Sequence, residues 1–248
     1  MFPYRDDNPT LRTPVVTIGI IALNTAVWVL VQGMGMDPAL TRSVCELGLI
    51  PGEFLGTIPA GTAVPLGPDS RCVLGYGAVW VTPLTSMFLH GGWLHLIGNM
   101  WFLWLFGNNV EDSMGRLRYG LFYVLAGLGA AATQTLLSPT SAVPMVGASG
   151  AISGVMGAYV ILYPMVQVHM IVVLVVFITR IVVPAYLMLG YWFLLQLLGG
   201  AASLGSAGGV AFWAHVGGFL VGALLVGLFR NPALVAEHRR LARVYGQG

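Results

Sequence analysis

A serine and a histidine stand at corresponding ends of two apolar segments of this 248-residue chain. Ser149 lies within Gly-Ala-Ser-Gly at residues 147–150, and His215 lies near the start of the last apolar segment. A serine hydroxyl becomes an effective nucleophile when a neighbouring base takes its proton, and neutral imidazole suits that task near pH 7. We therefore expect Ser149 to be a nucleophile and His215 its base. Ser153, about one helical turn deeper, is the rival nucleophile.

The expected site lacks an acidic third member. Serine hydrolases of the chymotrypsin type use a buried carboxylate to orient the histidine, but none of the nine acidic residues falls within a predicted apolar span. The sequence thus predicts a dyad, in which packing or another hydrogen bond orients the imidazole.

His95 and Asn99 stand four positions apart, so on a helix they share one face. Both side chains can donate hydrogen bonds. Together with the backbone N–H of Ser149, they could stabilise the negative charge that develops on a carbonyl oxygen under attack. We expect an oxyanion hole here. The alternative is a polar pair that holds two helices together.

The composition is that of a membrane protein that crosses the bilayer several times. The chain is 57% hydrophobic and 8% charged, with a mean hydropathy of +0.83. Its net charge is only +2, and no basic run is long enough to follow a phosphate backbone. The expected partner is therefore the lipid bilayer, and nucleic acid is not expected.

Six apolar spans predict an all-α membrane bundle over residues 15–229. Residues 1–14 precede it, 230–248 follow it, and a long polar loop covers 32–83. The apolar stretch 168–179 remains open between a re-entrant segment, an interfacial segment and part of span five. The expected spans are residues 15–31, 93–110, 117–137, 146–163, 182–198 and 209–229.

Arginine predicts the orientation, because the chain contains no lysine. With six spans, nine arginines lie on the side of the termini, and only Arg42 and Arg71 lie opposite. The positive-inside rule then places both termini in the cytoplasm. The outer ends of spans two, four and six consequently hold His95 with Asn99, Ser149 and His215 at one depth.

Small residues would let span four approach span six closely enough for the dyad to form. Ordinary glycine-mediated packing between helices is the alternative interpretation. The candidate supporting glycines are Gly147, Gly150 and Gly154 in span four, and Gly218 and Gly222 in span six.

Both cysteines, Cys45 and Cys72, fall in the predicted outer loop. An oxidising outer compartment favours a disulfide between them. A metal site is not expected, since two cysteines without a nearby histidine do not complete a zinc ligand set.

Taken together, these motifs resemble the rhomboid family of intramembrane serine proteases. The resemblance rests on residues 147–150 with Gly154, on Ala214-His215 with Gly218 and Gly222, and on His95 with Asn99. It implies a six-helix bundle that hydrolyses transmembrane proteins, with Ser149 as nucleophile, His215 as base, His95 and Asn99 as oxyanion donors, and neither metal nor cofactor.

One departure from the family concerns the orientation of His215. Some members carry a tyrosine four residues after the serine, where this chain has Ser153. Phe212, Trp213 or Tyr159 is the expected substitute that packs on the imidazole.

The predicted function is therefore cleavage of single-pass membrane proteins in or near the outer leaflet. A catalytically inactive rhomboid-like protein that binds membrane clients is the alternative. A small transporter is less favoured, because no path of buried charge is evident. We expect a multi-pass protein of a cell membrane, in particular a bacterial plasma membrane. The sequence predicts neither the substrate nor the oligomeric state.

Overall fold

The computed structural model describes residues 2–67, 70–75, 77–174, 177–203 and 210–245. The chain is mostly helical, and short 3-10 turns precede the second, fourth and fifth helices. In chain order the α-helices are α1 (Val15–Leu30), α2 (Ala39–Leu47), α3 (Pro51–Phe54), α4 (Thr82–Thr85), α5 (Trp93–Met114), α6 (Arg116–Leu137), α7 (Ser149–Leu162), α8 (Ala185–Ala202), α9 (Phe212–Phe229) and α10 (Pro232–Tyr245).

Each of the six predicted apolar spans overlaps one helix: α1, α5, α6, α7, α8 and α9. Helix α5 continues to Met114 and α8 to Ala202, beyond the predicted ends at residues 110 and 198. Among the described residues, three of them, α6, α8 and α9, are long and apolar enough to cross a membrane. Helices α1 and α7 are apolar but shorter, with 16 and 14 residues. A mostly helical membrane fold is thus confirmed, while the count of six crossings and the side of the termini stay predictions.

The expectation of an exclusively helical fold is wrong at one end of the bundle. A three-stranded antiparallel sheet forms there in the order β1-β4-β5, and a separate two-stranded sheet lies in the long loop. The strands are β1 (Phe2–Asp6), β2 (Ala63–Pro65), β3 (Arg71–Val73), β4 (Gln167–Leu174) and β5 (Phe177–Pro184).

The hairpin of β4 and β5 includes the apolar stretch 168–179, for which the sequence allowed a re-entrant segment, an interfacial segment or part of span five. Its register pairs Val168 with Val183 and Val172 with Thr179. The residues are rich in valine and isoleucine, which favour a pleated, half-buried surface over a helix. Val168 and Val172 are buried, so one face of the hairpin packs on the protein. Residues 168–179 are therefore not part of the fifth apolar helix.

Because a hairpin brings the chain back to where it began, α8 starts at the end of the bundle where α7 finishes. The fifth helix begins at Ala185 rather than near Val182, since residues up to Pro184 still pair in β5. Pro184 occupies the N-cap position of α8. The dyad residues consequently stay at one end of the bundle, which we call the dyad end.

The residues before α1 form a strap across the opposite end of the bundle. Its backbone is held by side chains of α5: the indole of Trp101 donates to the carbonyl of Pro3 at 2.8 Å, and the Leu11 N–H donates to Asp112 at 2.7 Å. An ion pair between Arg12 and Glu237 adds α10 to this packing. Segments 1–14 and 230–248, predicted as flanking regions, are in their described parts packed on the bundle.

The long loop, residues 32–83, is cross-linked by a disulfide at the dyad end. Cys45 on α2 and Cys72 on β3 are joined by a disulfide with their Cα atoms 5.4 Å apart. Cys72 packs with Ile50 and Leu74 in a small apolar cluster separate from the main core. Leu49 in turn pairs with Met145, so this loop is tied to the segment that leads into Ser149.

Candidate active site

Ser149 is the first residue of α7, and an extended segment precedes it. In that segment, Met145 exchanges backbone hydrogen bonds with Leu49, and the Gly147 N–H donates to the Ser86 carbonyl at 2.9 Å. Gly147 has φ of +130°, a conformation that favours glycine. A methyl group on Gly147 would also lie 2.8 Å from Nε2 of His95. This position therefore requires glycine on two grounds.

Helices α7 and α9 touch through their backbones. A methyl group on Gly218 would lie 2.0 Å from the carbonyl oxygen of Gly150, and one on Gly222 would lie 2.0 Å from that of Gly154. Real side chains essentially never approach an atom so closely, so any larger residue would separate the helices. Gly150 and Gly154 face α6 as well, with methyl positions 2.7 Å and 2.4 Å from alanine side chains.

This close packing brings Ser149 and His215 together. The Ser149 Oγ lies 2.8 Å from Nε2 of His215, although the residues are 66 positions apart in sequence. That separation is a hydrogen-bonding distance and meets the geometric requirement for a nucleophile and its base.

Ser153 does not share this arrangement. Its side chain is buried, and its hydroxyl donates to the carbonyl oxygen of Ser149 at 2.6 Å, one turn back in α7. Such a bond is usual for serine inside a helix. The geometry therefore favours Ser149 over Ser153 as the nucleophile.

The other ring nitrogen of His215 meets a residue that the sequence analysis did not single out. Nδ1 of His215 lies 2.8 Å from Oε1 of Gln196 on α8. The ring of Trp192, also on α8, lies 5.9 Å from the imidazole between centroids. A polar residue within an apolar span was the available signal, because such residues usually face a partner inside the bundle.

Of the three aromatic residues expected to orient His215, Tyr159 lies elsewhere. Its hydroxyl donates to Asp6 of β1, toward the end of α7 that lies away from the dyad. Tyr159 and Ser149 lie ten positions apart on α7, so their Cα atoms are about 15 Å apart along the helix. Trp192 of α8 takes the place that was expected for an aromatic neighbour.

His95 on α5 faces the same small space as Ser149. The methyl position at Gly147 lies 2.8 Å from Nε2 of His95 and 3.4 Å from Oγ of Ser149. The Gly91 N–H donates to Nδ1 of His95 at 3.2 Å. Since Nδ1 accepts, a neutral His95 carries its proton on Nε2, which makes Nε2 a donor toward the site.

Asn99 lies one turn further along α5 and is buried. Its amide nitrogen has no hydrogen-bond partner among the described residues. A buried donor without a partner costs free energy unless a ligand or water completes it. The amide donor of Asn99 is thus unused among the described residues, and Asn99 is not one of the residues that line the cavity beside Ser149 and His215.

A cavity of about 390 Å³ adjoins the dyad. Ser149, His215 and His95 line it, together with the apolar segment 143–146. This volume falls at the lower end of the range for ligand pockets. The sequence also predicts a glycine-rich lid at residues 199–209, between α8 and α9, but residues 204–209 lie outside the described residues.

The model of the Rhomboid domain matches residues 77–232, more than half of the chain. The chain is 36% identical to RHOMBOID-like protein 5 of Arabidopsis thaliana over 102 residues, which is 40% of this chain and 33% of that protein. It is 36% identical to Rhomboid protease GluP of Bacillus subtilis (strain 168) over 103 residues, 42% of this chain and 20% of that protein.

The matched region is small compared with these relatives. A further match, 32% identical over 96 residues, covers 37% of this chain and 11% of Rhomboid-like protease 5 of Toxoplasma gondii. The chain thus spans about a third or less of the curated relatives named here. The family prediction made from the motifs is confirmed: the chain belongs to the rhomboid family.

Proposed function

We propose that this protein is an intramembrane serine endopeptidase with a dyad of Ser149 and His215. The observation that carries the proposal is the 2.8 Å separation between Oγ of Ser149 and Nε2 of His215. Membership of the rhomboid family supports it, as do relatives whose names describe them as proteases.

In the first half of the reaction, the Ser149 oxygen forms a bond to the scissile carbonyl carbon while Nε2 of His215 takes the hydroxyl proton. General base catalysis of this kind contributes about 10²- to 10⁴-fold to a rate. The carbonyl π electrons move onto its oxygen. The resulting oxyanion is stabilised by Nε2–H of His95, the Asn99 amide and the Ser149 N–H, which has no acceptor within its own helix.

In the second half, the protonated His215 gives its proton to the departing amine as the peptide C–N bond breaks. An acyl-enzyme ester on Ser149 remains. A water molecule from the cavity beside the dyad then attacks this ester, with His215 again taking the proton. As the ester C–O bond breaks, His215 returns this proton to the Ser149 oxygen, and the carboxylic acid product leaves.

The substrate class follows from where the site lies. In a six-span arrangement with both termini in the cytoplasm, Ser149 lies just below the outer boundary of the membrane. A transmembrane substrate must present an extended backbone there, and a lipid-exposed helix unwinds only where its backbone groups find other partners. The proposed substrates are single-pass proteins with glycine, proline or polar residues near the outer end of the helix.

The names of the relatives do not indicate a single compartment. The relatives include a bacterial protein and two from Arabidopsis thaliana whose names carry the words mitochondrial and chloroplastic. They lend no support to a bacterial plasma membrane in particular, so that expectation remains untested.

Cleavage in liposomes tests the proposal. The purified protein and its Ser149→Ala variant are each reconstituted with a panel of single-pass substrates that carry glycine or proline near the outer end. Products are identified by mass spectrometry. We expect cleavage near that end by the wild type only. A folded wild type that binds but cleaves none of the panel would favour the inactive, client-binding alternative.

A further inference from the structure

Gln196 reaches the dyad from a helix that carries neither of its members. It lies on α8, and its side-chain oxygen is 2.8 Å from Nδ1 of His215 on α9. His215 therefore has a defined partner on each ring nitrogen: Ser149 at Nε2 and Gln196 at Nδ1. The reaction described above uses only the first of these contacts.

The second contact has a direction, because the amide of Gln196 is itself anchored. Its Nε2 donates to the backbone carbonyl of Trp192, one turn earlier on α8, at 3.3 Å. Rotating the amide by 180° would place its oxygen against the carbonyl oxygen of Trp192, and two acceptors cannot bond. The oxygen of Gln196 consequently faces His215, and an amide oxygen can only accept a hydrogen bond.

An acceptor at Nδ1 fixes the proton of a neutral imidazole on Nδ1. Nε2 then keeps its lone pair, and this lone pair faces the hydroxyl of Ser149. The opposite tautomer would present an N–H to Ser149 and could not take its proton. In serine hydrolases with an acidic third residue, holding the productive tautomer is one of the tasks of the carboxylate.

A neutral amide suits this apolar surrounding. Burying an unpaired carboxylate carries a large desolvation cost, whereas an amide with both of its groups bonded carries little. The contact also remains when His215 is protonated, since Nδ1 still carries a proton and donates it to Gln196. The ring of Trp192 packs beside the same imidazole and limits its rotation.

We infer that Gln196 is a positioning residue, which holds His215 in the tautomer that can accept the Ser149 proton. This inference rests on the proposed function, in that the tautomer matters for hydrolysis only if His215 is the base.

The direct test is the tautomer itself, read by ¹⁵N NMR on protein labelled at histidine in liposomes. The chain has five histidines, and the His215 signals are identified as those lost in His215→Ala. We expect a protonated Nδ1 and an unprotonated Nε2 in the wild type. Gln196→Leu should lose this preference, and Gln196→Glu, which keeps an acceptor of the same length, should retain it.

A kinetic test uses the labelling rate of Ser149 with a serine-reactive fluorophosphonate. In Gln196→Leu we expect the maximal labelling rate to fall at least about tenfold. This is the loss expected when one hydrogen bond to an imidazole that becomes charged during the reaction is removed. The half-saturating probe concentration should change less than about twofold. Leu195→Ala, at the exposed neighbouring position on α8, is the matched control and should label like the wild type.

If Gln196→Leu fails to fold, Gln196→Met replaces it, since methionine keeps the length and offers only a weak acceptor. A wild-type tautomer and labelling rate in a folded Leu or Met variant would overturn the inference. Failure of the proposed function has a different signature, because a wild type that is never labelled still reports its tautomer by NMR.

Discussion

Gly218 on α9 lies directly against the carbonyl oxygen of Gly150 on α7, leaving no room for a side chain between the helices. Gly150 directly follows Ser149, and Gly218 lies about one turn after His215, so this contact determines the distance between nucleophile and base. Helix packing and chemistry are therefore coupled at this position.

Replacing Gly218 tests that coupling. We expect Gly218→Val to force α7 and α9 apart, lower the free energy of unfolding by about 1–3 kcal/mol and greatly reduce labelling of Ser149. Gly227→Val is the control on the same helix, because a methyl group there would meet nothing within 4 Å. Equal labelling and equal thermal stability in the two variants would show that the close contact is not required.

Glu111 on α5 is expected to matter for stability rather than for chemistry. Its carboxylate accepts the N–H of Val16 at 3.0 Å, and the N–H and hydroxyl of Thr17 at 2.8 and 2.9 Å. Glu111→Ala should leave these donors at the start of α1 unpaired and cost about 1–3 kcal/mol. Thermal unfolding in detergent measures this, and Glu111→Gln should lose less because it keeps one acceptor.

Asp6 should make stability depend on pH. Burial raises the pKa of its carboxyl from 3.8 to about 6, an effect that the hydrogen bond from Tyr159 only partly offsets. Because the folded protein binds this proton more tightly than the unfolded chain, the carboxyl stabilises the fold at about pH 4 and loses that contribution as the pH rises through about 6.

The comparison of wild type with Asp6→Asn isolates this effect, since all other side chains are the same in both proteins. Between about pH 4 and pH 7, the melting temperature of the wild type should fall more steeply than that of Asp6→Asn. Parallel melting curves across this range would contradict the expectation.

The bond between Cys45 and Cys72 should stabilise the long loop without taking part in the reaction. A cross-link over 27 positions is worth roughly 3 kcal/mol in chain-entropy terms. Alkylation before and after reduction, followed by mass measurement, should show two thiols only after reduction. Alkylation of both cysteines in untreated protein would rule out the bond.

The sequence was most informative where chemistry requires unusual residues. A histidine in an apolar span is costly unless it has a partner or a function, so the sequence predicts that His215 meets a polar group at its own depth, and the structure places it beside Ser149. The glycines of α7 and α9 were recognisable for a related reason, since only small residues let two backbones touch.

Two features were missed because their signals were ambiguous. The hairpin of β4 and β5 reads as an apolar run that periodicity cannot distinguish from a buried helix. Strand β1, which pairs with β4, lies more than 150 positions earlier, and the sequence of residues 2–6 does not indicate that it pairs with β4. Gln196 is uncharged, and a polar side chain in an apolar span commonly only joins two helices, so its residue type does not identify it as a partner of His215.

Labelling with a serine-reactive fluorophosphonate tests the central claim most directly, because it needs no known substrate. The wild type is compared with Ser149→Ala, His215→Ala and Ser153→Ala, each shown to be folded by its thermal unfolding. We predict labelling of the wild type and of Ser153→Ala, and loss of labelling in the other two. A Ser149–His215 dyad would be contradicted if Ser149→Ala were labelled as strongly as the wild type, or if the folded wild type were not labelled at all.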